Sequence, residues 1–237
     1  MKQERLMEDF NDLNEQFETA SPQAVLQWAA DRFGSSLAVV TSFQPTGIVT
    51  LHMLQAVAPQ TPVLTLDTGL LFPETYTLVD TLKSQLALNL VTIQPQQTVE
   101  QQAAQYGDRL WERDPDQCCN LRKTKPLEDA LTGYAAWITG LRRDQSDGRK
   151  TTPIISWDQR YQMVKLSPFA TWTEEMVWTY IHAHELPYNT LHTRNYHSIG
   201  CWPCTRPVVP GEDKRAGRWA GQAKTECGIH LSPTSYA

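Results

Sequence analysis

No apolar run among the 237 residues approaches the ~18 needed to cross a bilayer, so no membrane passage is predicted. The opening residues, Met1-Lys2-Gln3-Glu4-Arg5, run into acidic and amide side chains instead of the apolar stretch of a secretory signal. A cytoplasmic location is expected. Positive charge is not in excess either: 21 Lys and Arg face 26 Asp and Glu, for a net charge of −5. That balance excludes nucleic-acid binding through bulk electrostatics and admits an anionic small substrate only where basic residues converge. No internal repeat or low-complexity tract is present. A hydrophobic content of 41% against 20% charged residues excludes a disordered chain, and the length allows one large domain with a sizeable core. Cysteine is scarce, five in all. In a reducing compartment an odd, clustered set is more often ligand or nucleophile than disulfide.

What is present is an alternation of helix-like and strand-like segments. Residues 1–33 read as helical, with a cap-like Ser21-Pro22 before Ala24, Val25, Leu26 and Trp28. Strands are predicted at 36–43, 62–67, 90–93 and 135–139, and an edge strand at 161–166. Helices are predicted at 48–57, 73–86, 98–106, 121–131 and 172–184, while Gln44-Pro45-Thr46-Gly47 reads as a break between the first strand and its helix. From Leu186 onward no regular element is legible. Such alternation implies parallel βαβ units, hence an α/β fold over residues 1–210 followed by a tail over 211–237. Ligands of these sheets bind beyond the carboxyl ends of the strands. Ser42-Phe43, Asp67-Thr68-Gly69 and Gly140-Leu141-Arg142-Arg143 each fall at such an end.

The cysteines form an adjacent pair, Cys118-Cys119, a C-x-x-C pair, Cys201 and Cys204, and a lone Cys227. Disulfides fit poorly, because the count is odd and a bond between neighbours is strained. A four-cysteine zinc site usually draws on two C-x-x-C-like hooks, whereas an iron–sulfur cluster spreads its corners and accepts adjacent ligands more easily. Spacing favours the cluster and leaves zinc open. Cys227 stands in Lys224-Thr225-Glu226-Cys227-Gly228-Ile229-His230, a charged, glycine-containing stretch unlike a core segment. A free thiol at its ordinary pKa is only a few per cent ionised at neutral pH; Lys224 and His230 raise that fraction and Glu226 opposes them. Basic residues recur beside the cysteines: Arg122 and Lys123, Arg206, then Lys214, Arg215 and Arg218. Arg suits forked recognition of phosphate or sulfate oxygens.

Taken together, Ser42-Phe43, Leu66-Asp67-Thr68-Gly69, Cys118-Cys119 with Arg122-Lys123, 138–146 (ITGLRRDQS), Ile199-Gly200-Cys201 with Cys204, and 224–230 (KTECGIH) resemble the assimilatory sulfonucleotide reductases, in the iron–sulfur-containing adenylyl-sulfate branch of the PAPS reductase family. The resemblance implies an adenine-nucleotide α-hydrolase-like fold related to ATP pyrophosphatases, with a flexible C-terminal catalytic tail. It implies one 4Fe-4S cluster on Cys118, Cys119, Cys201 and Cys204, with Cys227 as nucleophile. Substrate contacts are implied at Ser42, Phe43, Leu66, Asp67, Thr68, Gly69, Lys123, Arg142, Arg215, Arg218 and His230. The implied substrate is adenosine 5′-phosphosulfate, and the implied reductant is thioredoxin or glutaredoxin. With ten residues after Cys227 and no thioredoxin-like domain among them, the reductant is expected to be a separate protein. A homo-oligomer is left open.

The loop Gln44-Pro45-Thr46-Gly47 departs from the Gly and small or acidic residues common in the family, and Pro45 has no amide hydrogen for an anion. The Ser-Gly-Gly-x-Asp-Ser loop of the ATP-hydrolysing relatives is absent, which speaks against magnesium-ATP cleavage. The alternatives are the same chemistry on the 3′-phosphorylated nucleotide, an ATP-pyrophosphatase-type ligase, and a zinc-stabilised nucleotide-binding module.

Overall fold

Leu37–Thr41 is buried at every position, as a strand covered on both faces must be. This strand, β1, is central in a computed structural model that describes residues 2–222, 224 and 226–230. The others are β2 (Val63–Leu66), β3 (Leu90–Ile93), β4 (Ala136–Ile138), β5 (Ile155–Asp158) and β6 (Met163–Leu166). They form one sheet in the order β3-β2-β1-β4-β6-β5, parallel except for β5, which runs antiparallel to β6. The chain moves outward from β1 through β2 to β3, then returns to place β4 on the other side of β1. The order therefore reverses between β1 and β4, and a crevice opens beyond their carboxyl ends.

The expected strands and helices are present, with three corrections. The 161–166 segment is not an edge: β6 lies between β4 and β5, and β5 is the edge strand. β5 (ISWD) was not predicted because it is short and carries polar residues; Asp158 turns it back by accepting the N–H groups of Arg160 and Tyr161 at 3.0 and 3.2 Å. Second, the 48–57 helix begins three residues earlier, as α3 (Pro45–Val57). Pro45 occupies the first helical position, where a missing N–H costs nothing, so the helix start moves up against the crevice. Third, the 1–33 region is two helices, α1 (Lys2–Phe17) and α2 (Pro22–Phe33), the second capped by the Ser21 hydroxyl on the Ala24 N–H.

The remaining helices are α4 (Pro73–Gln85), α5 (Val99–Tyr106), α6 (Leu110–Arg113), α7 (Pro115–Cys119), α8 (Lys125–Leu131) and α9 (Glu174–Ala183). The short α6 and α7 escaped the sequence pattern. α7 runs into α8 through a π-helical turn, Asn120–Thr124, a local feature often found at functional sites. One core lies among α2, α3, α9 and the sheet, with Phe43, Leu51 and Phe169 fully enclosed. A second core, on the α8 face, comprises Ala38, Val40, Leu64, Leu127, Leu131, Trp137, Tyr161 and Met163.

The edge strand β5 is covered by α1 through one side chain. Asn14 Oδ1 accepts the Ile154 and Ile155 N–H groups at 2.8 and 3.0 Å, while Nδ2 donates to the Ile155 carbonyl at 2.9 Å. Asn14→Ala leaves these backbone groups without that partner. It is expected to cost about 1–3 kcal/mol, read as a lower denaturation midpoint with an unchanged m-value.

Candidate active site

Two sulfur sites lie at the carboxyl ends of β1, β2 and β4. In the first, Cys118 and Cys119 end α7, Cys201 bridges antiparallel to Leu71, and Cys204 closes the short 3-10 turn Trp202–Cys204. The four free thiols line one small cavity with Leu70, Trp111, Pro115, Arg122, Lys123 and Trp219. Among the described residues no group of three or more His, Cys, Asp or Glu is placed to hold a metal ion. Thr68 Oγ1 lies 3.2 Å from Cys201 Sγ, and Gln102 Nε2 donates to Cys118 Sγ at 3.9 Å. Arg122 frames the cavity by donating to the Thr68 carbonyl at 2.6 Å and to Gln102 Oε1 at 3.2 Å. Burial pushes the Cys119 thiol up to about 11 and Cys204 up to about 12, and raises Cys118. At Cys201 burial also opposes ionisation, but Lys123, the Thr68 hydroxyl and Arg218 outweigh it and bring the thiol below its ordinary value. Thiols in this setting ionise together only when a cation joins them.

The second site is a cavity of about 260 Å³ in the crevice between β1 and β4. Of the residues expected there, Ser42, Phe43, Leu66, Thr68, Lys123, Arg142, Arg215, Arg218, Cys227 and His230 line it. Asp67 and Gly69 are not among its lining residues. Asp67 instead folds the loop after β2, accepting the Gly69 N–H at 2.9 Å and the Tyr76 hydroxyl at 2.7 Å. Phe43 takes a left-handed backbone, φ 53°, with its N–H on Thr41 Oγ1 at 3.0 Å. That strained residue turns the chain from β1 into the start of α3. Gly47 follows because a Cβ there would stand 2.5 Å from Thr41 Oγ1. Arg142 is almost fully buried and committed to the frame: Nη1 donates to Thr46 Oγ1 at 2.5 Å and Nε pairs with Asp144 at 2.8 Å. It ties the loop after β4 to the start of α3.

The segment around Cys227 closes this cavity, with Thr225 and residues 231–237 outside the described residues. Sequence reasoning missed Arg149, which reads as one more charge in an exposed loop, Asp147-Gly148-Arg149-Lys150. In the fold Arg149 is largely buried and grips Glu226 with two hydrogen bonds of 2.8 Å. Arg215 pairs with the same carboxylate at 3.2 Å, and Glu226 Oε1 also accepts the Cys227 N–H at 2.8 Å. Glu226 is thus neutralised by two arginines, which hold its carboxyl below the usual range despite burial. Arg218 stacks 4.4 Å from the Trp219 ring centroid and donates to Ser198 Oγ at 3.3 Å; Gly200 leaves room for it, since a Cβ there would lie 2.4 Å from Nη2. A thiolate at Cys227 interacts favourably with Lys123, Arg149 and Arg218. Lys224 pairs with Asp116, which ties the same segment to α7. Cys227 is half-buried, and less exposed than its setting in the sequence suggests.

Residues 36–207 match the model of a family described as phosphoadenosine phosphosulfate reductase domain. A protein of Salinibacter ruber named adenosine 5′-phosphosulfate reductase is 49% identical over 222 residues, 93% of this chain and 88% of the relative. Among solved structures, phosphoadenylyl-sulfate (PAPS) reductase from Candida auris, in a phosphate complex, superposes with a TM-score of 0.76 at 32% identity. The match covers 83% of this chain and 95% of that one. FMN adenylyltransferase from Candida glabrata superposes at 0.57 with 11% identity, covering 83% and 70%, which shows a shared fold alone. No described helix is long and apolar enough to cross a membrane.

The segment 226–230 carries a titratable group whose environment is set by its place in the cavity. Burial, then Lys165, Arg149 and Arg215, push the His230 imidazole well below its ordinary value of 6.5. An undocked His230 titrates near that value, so docking is indifferent to pH above it and weakens as the released form gains a proton below it. Glu226, with its lowered carboxyl, contributes only at more acidic pH. Between about pH 6.5 and 5, amide exchange of residues 226–230, corrected for intrinsic rates, is expected to accelerate in the native protein and stay flat in His230→Gln.

Proposed function

This chain belongs to the phosphoadenosine phosphosulfate reductase family, and from that premise we propose that it reduces adenosine 5′-phosphosulfate to sulfite and AMP through a covalent intermediate on Cys227. The observation that carries the reading is the division of the five cysteines. Four line one cavity, while Cys227 lines another with Lys123, Arg149, Arg215 and Arg218. The nucleotide follows from the relatives of 45–49% identity that bear the adenosine 5′-phosphosulfate reductase name.

The Cys227 thiolate attacks the sulfur of the phosphosulfate, the sulfur–oxygen bond to phosphate breaks, and AMP leaves. Cys227 then carries an S-sulfonate. A thiolate of an external dithiol protein, thioredoxin or glutaredoxin, attacks the Cys227 sulfur and releases sulfite with its electron pair. The second thiol of that protein resolves the mixed disulfide. Two electrons leave the dithiol and two reach sulfur, so the balance needs no flavin or nicotinamide. Lys123, Arg215 and Arg218, with Arg149, screen the repulsion between an anionic nucleophile and an anionic substrate and stabilise charge on the departing phosphate. The start of α3, with Thr46 and Gly47 facing the cavity, offers N–H groups to the same anion.

Cys118, Cys119, Cys201 and Cys204 would hold a 4Fe-4S cluster. Their fit rests on the donor set itself: four thiols from two segments around one volume, with hydroxyl and amide donors on two of the sulfurs and a cation beside Cys201. When bound, the cluster supplies local electrostatics to the substrate site. Lys123, which lines both cavities, would then balance cluster and substrate together.

Cys227→Ser tests the nucleophile. Anaerobically purified variant is expected to keep its iron, sulfide and nucleotide binding and to lose sulfite formation by at least roughly a thousandfold. In the native enzyme, a reaction stopped before reductant is added should leave one sulfonate on the peptide containing Cys227. Sulfite formation by the serine variant at the native rate would refute the assignment. The ratio of kcat/KM for the nucleotide and its 3′-phosphorylated form decides between the two substrates.

A further inference from the structure

We propose that Trp137 is a positioning residue: its indole is the seat on which the C-terminal segment lands, and that landing brings Cys227 into the cavity. The functional consequence rests on the reading of Cys227 as nucleophile; the seat itself does not. Trp137 is a fully buried residue of β4. His230 lies parallel to its indole, with 5° between the planes and 6.0 Å between centroids, an offset stack. Lys165 Nζ stands 5.0 Å from the same ring, and Tyr161 meets it edge-on at 5.6 Å and 86°. Ile229 packs against the same cluster. Ile229 therefore packs on a core drawn from the sheet, α8 and the connections bearing Tyr134 and Tyr161, and His230 beside it stacks on Trp137 of that core.

The connection to Cys227 is short. Gly228–His230 form a 3-10 turn, and the His230 N–H donates to the Cys227 carbonyl at 3.0 Å. Fixing Ile229 and His230 on the seat fixes Cys227 within the same turn. The other anchor, Glu226 on Arg149 and Arg215, is ionic and uses guanidinium groups that also face the cavity where the anion binds. Ile229 and His230 line the same cavity, but their contacts with Trp137 and its cluster are not ionic and use none of those guanidinium groups.

The seat is also an anchor of limited strength. Trp137 Nε1, Tyr161 Oη and His230 Nδ1 are buried there with no hydrogen-bond partner among the described residues. Apolar contact favours docking, and unsatisfied polar groups oppose it. Such a balance suits a segment with two tasks. Attack on the nucleotide needs Cys227 held in the cavity; reduction needs Cys227 within reach of another protein. The seat sets the partition between the two.

The test uses the full-length protein, purified without oxygen, and two variants, Ile229→Ala and Trp137→Phe. Alkylation of Cys227 by iodoacetamide at fixed pH, followed on its peptide by mass spectrometry, reports release. Removing most of the Ile229 side chain is expected to accelerate alkylation roughly fivefold to tenfold, and Trp137→Phe severalfold. Single-turnover S-sulfonation should slow only as far as the docked fraction falls, by less than about twofold while docking still predominates, and AMP affinity should stay within about twofold. An alkylation rate unchanged in Ile229→Ala overturns the seat. Acceleration in Ile229→Ala without any in a folded Trp137→Phe removes Trp137 from it. If Trp137→Phe does not fold, Ile229→Ala decides alone, because residue 229 lies outside the sheet. Failure of the native protein to form any sulfonate on Cys227 would instead strike the nucleophile reading and leave the alkylation result standing.

Discussion

One ammonium group separates two sulfur environments, and much of the architecture serves to keep it charged. Lys123 lines both cavities. Burial alone would lower its pKa, but Cys201, Cys227 and Cys119 more than reverse that and raise it. An enclosed cation is tolerable beside groups that can carry negative charge, and among the cysteines facing Lys123 the one whose thiol is drawn below its ordinary value is Cys201. The helical run from α7 into α8 makes this possible. Residues four apart share a helix face, which pairs Cys118 with Arg122 and Cys119 with Lys123. Arg122 is then spent on the Thr68 carbonyl and Gln102, as part of the frame. Lys123 is left to face sulfur.

The same economy of charge is visible around the crevice. Each cation there is oriented by a neighbour before any ligand arrives: Arg142 by Thr46 and Asp144, Arg218 by Ser198, Trp219 and the gap at Gly200, Arg149 by Glu226 and Gln145. Preorganised cations stabilise developing negative charge without reorganising during the reaction. The reversal of strand order between β1 and β4 supplies the opening, and the left-handed Phe43 aims the start of α3 into it. Fold and electrostatics are therefore one problem at this site, since the loops that hold the cations are the loops that end the parallel strands.

What could be read from the sequence follows from the range of the interaction concerned. The strand–helix alternation is a local pattern, and β1 to β4 were legible from short apolar runs with breakers between them. The grouping of the cysteines was legible because adjacency and C-x-x-C spacing are themselves local. The interior position of β6 was not, because it depends on a polar four-residue strand, β5, that a helix far away in sequence covers through Asn14. Arg149 was invisible for a similar reason: its partner, Glu226, is 77 residues on. Arg142, by contrast, was rightly placed at the cavity wall, but no local signal indicated that its guanidinium would be taken up by Thr46 and Asp144. Pro45 looked like an obstacle to anion binding until the helix start was found to lie on it, where a missing N–H is harmless.

The adjacency of Glu226 and Cys227 has an electrostatic use that the spacing alone does not disclose. Arg149 and Arg215 repel one another, and burial disfavours the charge of Arg149. A carboxylate between them removes much of that cost. Because the carboxylate is carried by the residue next to the thiol and accepts the thiol residue's own N–H, any force that draws it between the arginines also draws Cys227 toward Lys123 and Arg218. An approach of sulfur to a cationic cavity is thereby coupled to the neutralisation of that cavity. The coupling is strongest when the arginines lack another anion and weakens as one enters. An ionic anchor alone would then loosen as the ligand arrives, when the thiol has most need to stay. The packing of Ile229 and the stacking of His230 on Trp137 are not ion pairs, even though Arg149 and Arg215 act on the His230 imidazole, which is why a segment bearing a nucleophile gains from being held by both.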